Sequence, residues 1–313
     1  MKSYKKITSL ALTVLMVASV IPSTVYARSS KDGWYTAKDG KVYYYEYGRK
    51  IKCSARLNNG KYYLLDENGV LVTKKGWKSY DYQYTSNGDK VKLPAKYYVN
   101  ADGTLVTGWK TIKEKVYHFN TGDCTLSKNY PAYDSSDGKT YLTGSNGARV
   151  TTKGWVESTY KYVIPMGTIY SVKNKYYVKK GGEVTTGFKT IGGKTYCFDS
   201  SGCMCKNTYN YNSSDGKYYA FGKDGVQITK KGKVTLTNNV SIDLGYASIK
   251  QKNKFTVYVN KDGSLAMGLK TISGKTYYFS PTMVRCGTYS VDGTKYWFGT
   301  DGVCYRKAAV SYT

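Results

Sequence analysis

Side chains able to carry out acid-base catalysis are few and scattered in this sequence. Of its 21 acidic residues, nine are the aspartate of an Asp-Gly pair, where turn geometry accounts for the residue. The other acids are dispersed, and none stands out as half of a catalytic carboxylate pair. The single histidine, His118, lies in the middle of a Tyr-Tyr-Phe-like triplet, which favours a packed ring over a general base. There is no glycine-rich phosphate loop, so the sequence predicts a protein that is not an enzyme.

Seven cysteines are the remaining reactive side chains. Cys124, Cys205 and Cys304 follow a turn glycine by two or three residues, in a region that holds leucine elsewhere in the chain. This placement favours buried thiols, and one or more disulfides are the alternative. Cys203 and Cys205 form a Cys-x-Cys pair, but one histidine and no second pair at zinc spacing accompany them. We expect neither a metal nor another cofactor.

Aromatic residues are the most abundant group with binding chemistry, since 36 residues are tyrosine. Four of the five tryptophans, Trp34, Trp77, Trp109 and Trp155, directly follow a glycine. The face of such a ring attracts a quaternary ammonium by about 0.5–2 kcal/mol per contact, and it also suits the C–H face of a sugar. The same rings serve equally well as filler in a packed array. Both roles stay open for each tryptophan.

Internal repeats organise the chain. "TGWKTI" at residues 107–112 returns as "TGFKTI" at 186–191 and as "MGLKTI" at 267–272. Gly76, Gly154 and Gly232 begin three blocks at 78-residue intervals. Each block contains three smaller units, and a partial block precedes them, which gives eleven units in all.

Each unit has the composition of a β-hairpin. Short runs rich in Tyr, Val, Phe and Thr are bounded by nine Asp-Gly and four Asn-Gly pairs, which tolerate the positive φ of tight turns. One hairpin is marginal by itself, whereas a row of hairpins buries the faces of its neighbours. The sequence therefore predicts an all-β fold, a β-hairpin solenoid of tandem short repeats. The first unit of each block carries an insertion that we interpret as a longer hairpin or loop.

The N-terminus has the pattern of a secretory signal. "MKSYKK" is basic, "ITSLALTVLMVASVIP" is apolar, and "VYA" ends at Ala27. Removal after Ala27 is the prediction and an uncleaved anchor is the alternative; no later stretch is apolar enough to span a bilayer. The net charge of +27 suits anionic surroundings outside the cell. Because the lysines are scattered singly along strand-like segments, we do not expect nucleic acid as a partner.

The repeats resemble a known family. "TGWKTIKEKVYHF", "TGFKTIGGKTYCFDSSG" and "LKTISGKTYYF" are similar to the cell-wall-binding repeats of Gram-positive surface proteins, which include choline-binding, glucan-binding and clostridial toxin repeats. The resemblance covers residues 32–306. It implies a hairpin solenoid that attaches non-covalently to wall polymers.

The resemblance also implies which rings would hold a ligand. A choline cage in that family uses the tryptophan after glycine, a second tryptophan before the Tyr-Tyr-Phe triplet and an aromatic residue of the next unit. Val116, Thr195 and Thr276 stand at the second position here, so a glycan or teichoic acid is favoured and choline remains a candidate. The candidate ligand-binding rings are Trp34, Trp77, Tyr98, Trp109, Tyr117, Trp155 and Phe188.

Two positions lose their aromatic residue along the chain. Trp109 is followed in later blocks by Phe188 and Leu269, and Trp77 is followed by Trp155 and Lys233. We therefore expect competent sites in the N-terminal half, with the last block acting as scaffold and cap.

These observations divide the chain into five segments. We expect a signal peptide at 1–27, a partial leading block at 28–75, and repeat blocks at 76–153, 154–231 and 232–313 (the last as a cap). The predicted function is that of a secreted, non-catalytic protein on the wall of a Gram-positive bacterium, bound to teichoic acid, choline or glycan. The alternatives are a structural spacer or adhesin that presents the insertions to other cells, and an accessory to a separate enzyme.

Overall fold

A computed structural model describes residues 32–86, 89–163, 169–243 and 248–310; the side chains of residues 82–93, 161–170 and 239–251 are outside the description. The predicted leader at residues 1–27 also lies outside it. Across the described ranges the chain forms eleven separate antiparallel sheets, and it has no helix there, hence none of membrane-spanning length. The all-β prediction is confirmed, and the sheets match the eleven units counted from the sequence.

Six of the sheets are short two-stranded hairpins, with strands of four or five residues that follow one another directly in sequence. They are β4 (Ser54–Asn58) with β5 (Lys61–Leu65), β8 (Gly108–Ile112) with β9 (Lys115–Phe119), β10 (Pro131–Asp134) with β11 (Lys139–Leu142), β14 (Gly187–Ile191) with β15 (Lys194–Phe198), β16 (Thr208–Asn212) with β17 (Lys217–Phe221), and β20 (Gly268–Ile272) with β21 (Lys275–Phe279).

Three long hairpins open the three blocks, and their strands are about twice as long as those of the short hairpins. They are β6 (Gly76–Ser86) with β7 (Asp89–Val99), β12 (Gly154–Val163) with β13 (Ile169–Val178), and β18 (Gly232–Asp243) with β19 (Ser248–Val259). The insertion predicted as a longer hairpin or loop is thus a hairpin that continues the register of its own strands.

Three-stranded sheets lie at both ends of the row. The first contains β1 (Gly33–Thr36), β2 (Val42–Glu46) and β3 (Arg49–Lys50), and the last contains β22 (Thr288–Val291), β23 (Thr294–Phe298) and β24 (Cys304–Ala309). In the last sheet β24 pairs with β23, which gives the edge of the terminal hairpin a hydrogen-bonding partner from its own chain.

Two-residue turns with positive φ close several short hairpins. Asn59 and Gly60 have φ of 49° and 74°, and Asp292 and Gly293 have φ of 48° and 72°. Positive φ at both central residues is the requirement of the type I′ turn, whose twist matches that of antiparallel strands. Asn-Gly and Asp-Gly therefore close hairpins as the sequence predicted.

Other Asp-Gly and Asn-Gly pairs lie in turns after the second strand of a hairpin, a role that the sequence did not predict. Asn68-Gly69, for example, lies after β5, in a turn that folds the chain back so that Leu71 bridges to Leu65. The Asp66 side chain caps this turn by accepting from the backbone N–H groups of Asn68 and Val70, at 2.9 and 2.8 Å. We call the segment that follows the second strand of a hairpin, such as the one containing Asn68-Gly69 and Leu71, a connector. Each connector adds a short third segment beside that second strand.

The connectors also join one hairpin to the one before it. The N–H of Leu71 donates to the carbonyl of Val42 in the preceding sheet at 2.8 Å, and Leu105 donates to Tyr62 in the same way. We call these bonds the stacking bonds, and nine are present in the described chain. The donor–acceptor pairs are Leu71–Val42, Leu105–Tyr62, Leu126–Lys96, Arg149–Val116, Val184–Thr140, Met204–Lys175, Gln227–Thr195, Leu265–Tyr218 and Met283–Thr256.

Close approach of glycine to the preceding connector accompanies the stacking bonds. A Cβ at Gly202 would lie 2.5 Å from Cγ2 of Val184, and one at Gly225 would lie 2.6 Å from the side chain of Met204. Both glycines also have φ near +80°. Glycine is therefore required there for its conformation and for its lack of a side chain.

Apolar side chains of successive hairpins form the core. Leu64 of β5 packs with Tyr97 and Val99 of β7, and with Leu105 of the next connector. From β5 onward, the residue at the end of each hairpin's second strand, such as Phe119, is almost fully buried. No hairpin buries this surface by itself, so the units stabilise one another as in other repeat arrays.

The cysteines are thiols in this structure, with Cys124 and Cys197 buried and Cys286 exposed. Of the three thiols predicted to be buried, Cys124 is buried, whereas Cys205 and Cys304 are partly exposed. Cys304 does lie at the position of Leu71, but near Cys124 and Cys205 it is Leu126 and Met204 that bridge back and donate the stacking bonds. The spacing from the turn glycine misplaced Cys124 because its turn is one residue longer.

Gly202→Ala tests the close approach of neighbouring connectors. We expect an alanine here to cost about 1 kcal/mol for its positive φ and about 2 kcal/mol more for the clash with Val184. The matched control is Gly193→Ala in the β14–β15 turn, where φ is +74° but no atom lies within 4 Å of the new Cβ. Urea unfolding of both variants measures the difference. Equal losses of stability would show that the connectors do not press on each other.

Candidate functional site: aromatic clefts between hairpins

Trp77 forms the first of two matching clefts. It pairs across the β6–β7 ladder with Tyr98, and the two ring centroids are 5.3 Å apart. Tyr117 of the next hairpin meets the same indole edge-on at 5.0 Å, and the buried ring of Phe119 lies below it at 5.7 Å. The stacking bond between the Leu126 amide and the Lys96 carbonyl joins these hairpins, so it determines which rings meet.

Trp155 repeats this arrangement one block later. Its indole lies 5.3 Å from Tyr177 across the ladder, 4.8 Å from Tyr196 of the next hairpin and 5.9 Å from Phe198. The interplanar angles agree with those at Trp77 to within about ten degrees for all three pairs. The two clefts therefore have the same geometry.

Trp34 and Trp109 lie in looser versions of the cleft. Trp34 contacts Tyr44 across its ladder at 5.2 Å and Tyr63 of the next hairpin at 5.9 Å. Trp109 contacts His118 at 4.9 Å and Tyr141 at 5.9 Å, and its Nε1–H donates to the carbonyl of Tyr133 at 3.3 Å. Each tryptophan that follows a glycine thus meets one ring of its own hairpin and at least one ring of the next.

All seven predicted rings are half-buried. The structure brings Trp77, Tyr98 and Tyr117 together in one cleft and places the other four in separate clefts. A half-buried ring keeps one side in the packed array and leaves some surface to solvent, so the two roles left open for the tryptophans are compatible.

Lysines surround the opening at Trp77. An open groove of about 650 Å³ lies against Trp77 and Tyr98 and is also lined by Lys75, Lys110 and Lys113, among others, and by no acidic residue. Tyr117 and Lys96 are not part of its lining. None of the three lining lysines forms an ion pair with another described side chain. The groove therefore combines flat apolar surface with unneutralised positive charge.

A basic side chain of the protein itself also lies on an aromatic face in each tryptophan cleft. Lys96 Nζ is 4.5 Å from the centroid of Trp77, and Lys175 Nζ is 4.8 Å from that of Trp155. The guanidinium of Arg149 stacks 3.2 Å from the centroid of Tyr141, and that of Arg56 lies 5.9 Å from that of Tyr44. These are cation–π contacts within one chain.

Sequence reasoning missed these cations, although a signal was present. "KYYV" occurs at residues 96–99 and 175–178, with the lysine two positions before the tyrosine that pairs with tryptophan. Because side chains alternate along a strand, residues two apart share a face, and the lysine must lie beside the cleft. Tyr177, which pairs with Trp155 across its own ladder as Tyr98 does with Trp77, was also absent from the predicted ligand-binding rings. Tyr196 and Tyr141 were absent because their places depend on how successive hairpins stack.

The two positions that lose their aromatic residue along the chain show how the fold tolerates that loss. Phe188 still contacts Tyr219 and Phe221 of the next hairpin at 5.8 and 5.5 Å. Leu269 pairs across its ladder with Tyr278, which stacks instead on Tyr289 at 4.3 Å. Lys233 places its Nζ 4.4 Å from the centroid of Tyr277, a ring equivalent to Tyr117 and Tyr196. The frame is kept while the side chain in the cleft changes.

His118 packs as a ring in the cleft of Trp109. It lies against Trp109, and its Nδ1 is 2.9 Å from the Oγ of Ser127. Burial lowers its pKa, and the charge of Asp134 opposes that shift only in part. Among the described residues there is also no group of three or more His, Cys, Asp or Glu side chains that could hold a metal ion.

The histidine should make the stability of the fold pH-dependent. Since the folded state binds this proton less readily than the unfolded state, the contribution of the neutral ring is complete above the ordinary pKa of about 6.5 and is lost as the pH falls through the lower folded value. His118→Tyr places here the residue type found at the equivalent positions Tyr98 and Tyr177. We expect its free energy of unfolding to fall less than that of wild type when the pH is lowered from 7.5 to 5. Urea midpoints across this range measure it; parallel curves for the two proteins would contradict it.

Comparison with known proteins agrees with this architecture. A family described as a putative cell wall binding repeat matches residues 107–122 and 186–204, which contain the β8–β9 and β14–β15 hairpins. Glucosyltransferase-I of Streptococcus downei is 27% identical over 88% of this chain, and the match covers 21% of that protein. Glucosyltransferase-S of Streptococcus mutans is 32% identical over 33% of the chain and 6% of its own length.

Solved structures include similar chains at low sequence identity. Choline binding protein F from Streptococcus pneumoniae is 19% identical, with 88% of this chain and 92% of that chain covered and a TM-score of 0.35. The chain spans about a fifth of the length of the first curated relative above. Two of the hairpins thus match the model of a cell wall binding repeat, and similar hairpins recur along the described chain.

Proposed function

We propose that this protein is a secreted, non-catalytic module that holds polymers of a Gram-positive cell wall at its tryptophan clefts. The match of residues 107–122 and 186–204 to cell wall binding repeats supports a wall-polymer binding role in general. The finer assignment, to a glycan or teichoic acid chain held by Trp34, Trp77, Trp109 and Trp155, is our proposal.

One observation supports the proposal most strongly: the same cluster of rings occurs at Trp77 and Trp155, and at Trp77 it borders a groove lined by lysines that form no ion pair with a described side chain. Core filler alone would not need rings that remain half-buried next to a lysine-lined opening. A wall polymer repeats along its length, so several weak sites on one rigid array reach high avidity without any single strong site.

A binding role without catalysis fits the distribution of titratable groups. Within the described ranges, the acids mostly cap turns, as Asp66 and Asp102 do, or form exposed ion pairs, as Glu157 does with Lys173. The relatives are named as glucosyltransferases, and this chain corresponds to a small part of each. We propose that its own role is attachment.

Secretion, surface location and the five-segment organisation also belong to this proposal. A leader at 1–27 would direct the chain out of the cell, the leading block at 28–75 and two blocks at 76–153 and 154–231 would carry the sites, and the block at 232–313 would act as a cap. The net charge of +27 would favour retention on an anionic wall.

A second candidate function rests on the long hairpins. β6–β7, β12–β13 and β18–β19 recur once per block and extend well beyond the short hairpins. A spacer or adhesin would use such hairpins to contact neighbouring cells, with the clefts serving only as core. This alternative predicts that changes in the clefts alter stability but not attachment.

Cosedimentation with purified walls separates the two functions. We expect Trp77→Ala with Trp109→Ala to weaken wall binding by about tenfold, because each lost ring contact contributes about 0.5–2 kcal/mol. The matched control is Leu269→Ala, which truncates the equivalent apolar residue in the last block. Equal losses in the two variants, at equal thermal stability, would contradict ligand binding at the clefts.

A further inference from the structure

The cleft of the last block is covered by the protein's own cations. Lys233 replaces the tryptophan, and its Nζ lies over Tyr277 and donates to the hydroxyl of that ring at 3.2 Å. Lys270 Nζ lies 4.7 Å from the centroid of Tyr258, the ring that pairs with Lys233 across the ladder. Both rings that would form an aromatic cage therefore already face an ammonium group.

Lysine side chains of the protein also cover part of the clefts at Trp77 and Trp155. Lys96 and Lys175 are half-buried, and each places its Nζ on the indole face. A quaternary ammonium entering either cleft would compete for that face and meet a like charge within a few ångströms. An anion would instead find an ammonium donor held beside a flat apolar surface.

We propose that these lysines determine ligand class: the clefts at Trp77 and Trp155 reject quaternary ammonium groups and select a polyol or sugar polymer joined by phosphodiesters. The indole lies under the carbon skeleton, and Lys96 or Lys175 donates to a phosphate oxygen. Lys75, Lys110 and Lys113 extend the positive surface at the first cleft. This inference rests on the proposed function and names its ligand.

The third block has a different residue beside its cleft. Thr256 stands at the position of Lys96 and Lys175, and the nearby cations are Lys270, over Tyr258, and Arg285, which donates to Thr256 Oγ1 at 3.2 Å. Lys233→Trp combined with Lys270→Gln and Arg285→Gln would therefore build a cage of Trp, Tyr258 and Tyr277 without these cations. Such a cage suits a quaternary ammonium, in contrast to the two native clefts.

Calorimetric titration of the full chain tests the ligand class with three probes: a glycerol phosphate oligomer, neutral dextran and choline chloride. We expect wild type to bind the oligomer most tightly and to show no choline binding. Lys96→Gln with Lys175→Gln should lose about tenfold in affinity for the oligomer, because a charge-assisted hydrogen bond is lost at each cleft. Lys38→Gln with Lys223→Gln removes equal charge from exposed turns and should have a much smaller effect.

The triple variant Lys233→Trp, Lys270→Gln, Arg285→Gln supplies the opposite test. We expect it to bind choline at one site per chain, and Lys231→Trp with the same two glutamine substitutions, a change at a neighbouring exposed lysine, to bind none. Choline binding by wild type, dextran binding as tight as oligomer binding, or equal losses in the two double variants would overturn the selection of anions. Failure of wild type to bind walls at all would overturn the proposed function itself.

Cys197 and Cys205 carry a second inference, independent of the clefts. They lie opposite each other beside the Phe198–Met204 bridge, the N–H of Cys205 donates to the carbonyl of Cys197 at 2.9 Å, and their Sγ atoms are 3.6 Å apart. The hydrogen bond with Cys197 lowers the pKa of the half-buried Cys205 thiol. His118 and Ser127 are hydrogen-bonded at the equivalent position of another hairpin.

The geometry points to a disulfide between Cys197 and Cys205 that forms under oxidising conditions and fixes the connector to β15. With a small-molecule disulfide as oxidant, the Cys205 thiolate attacks one sulfur and releases a thiolate. The hydrogen bond with Cys205 and burial raise the pKa of Cys197, so this thiol gives up its proton to solvent as it attacks the mixed disulfide and releases the second thiolate. The protein loses two protons and two electrons, and the oxidant takes them up to become two thiols.

Mass spectrometry of the natively folded full chain after treatment with oxidised glutathione and alkylation tests this disulfide. We expect the tryptic peptide 195–206 to carry one alkyl group, at Cys203, and to lack two hydrogens. Cys203→Ser should keep the linkage and Cys205→Ser should lose it. Three alkyl groups on the native peptide, or linkage only after unfolding in urea, would overturn the proposal.

Discussion

The stacking bond between a connector amide and a carbonyl of the preceding hairpin is the constraint on which the rest of the structure depends. It recurs nine times along the described chain with donor–acceptor distances between 2.7 and 3.0 Å. A backbone bond does not depend on side-chain identity, so the same spacing between hairpins is kept while sequences diverge. Turn glycines such as Gly202 and Gly225 permit it, because any larger residue would strike the connector below.

Fixed spacing between hairpins explains why the clefts exist and why their occupants vary. Trp77 and Trp155 meet rings of the next hairpin in nearly the same geometry because the same backbone bond positions both pairs. The residue in the cleft itself contributes little to that bond. Phe188, Leu269 and Lys233 therefore replace tryptophan without loss of the frame, and binding capacity can change from unit to unit on a constant scaffold.

Much of the fold followed from sequence, and less of the site did. Asn59-Gly60 and Asp292-Gly293 predicted hairpin turns because positive φ is a local requirement. The role of Asn68-Gly69 in a connector was not predictable, since it depends on pairing with a strand already formed. The tryptophans were recognisable by their glycine neighbours, whereas Lys96 and Lys175 became cleft residues only once the cross-strand register was known. His118 was recognised as a packed ring, but its partner Ser127 was not.

The most direct test of ligand binding between hairpins is a residue-resolved one. Indole N–H resonances of the five tryptophans, followed by NMR during titration with a glycerol phosphate oligomer, report each ring separately. We expect saturable shifts for Trp77 and Trp155, and none for Trp297, whose ring lies between Lys295 and Arg306 in the last sheet. Equal small shifts for all five, or a shift confined to Trp297, would contradict binding in clefts that the stacking bonds create.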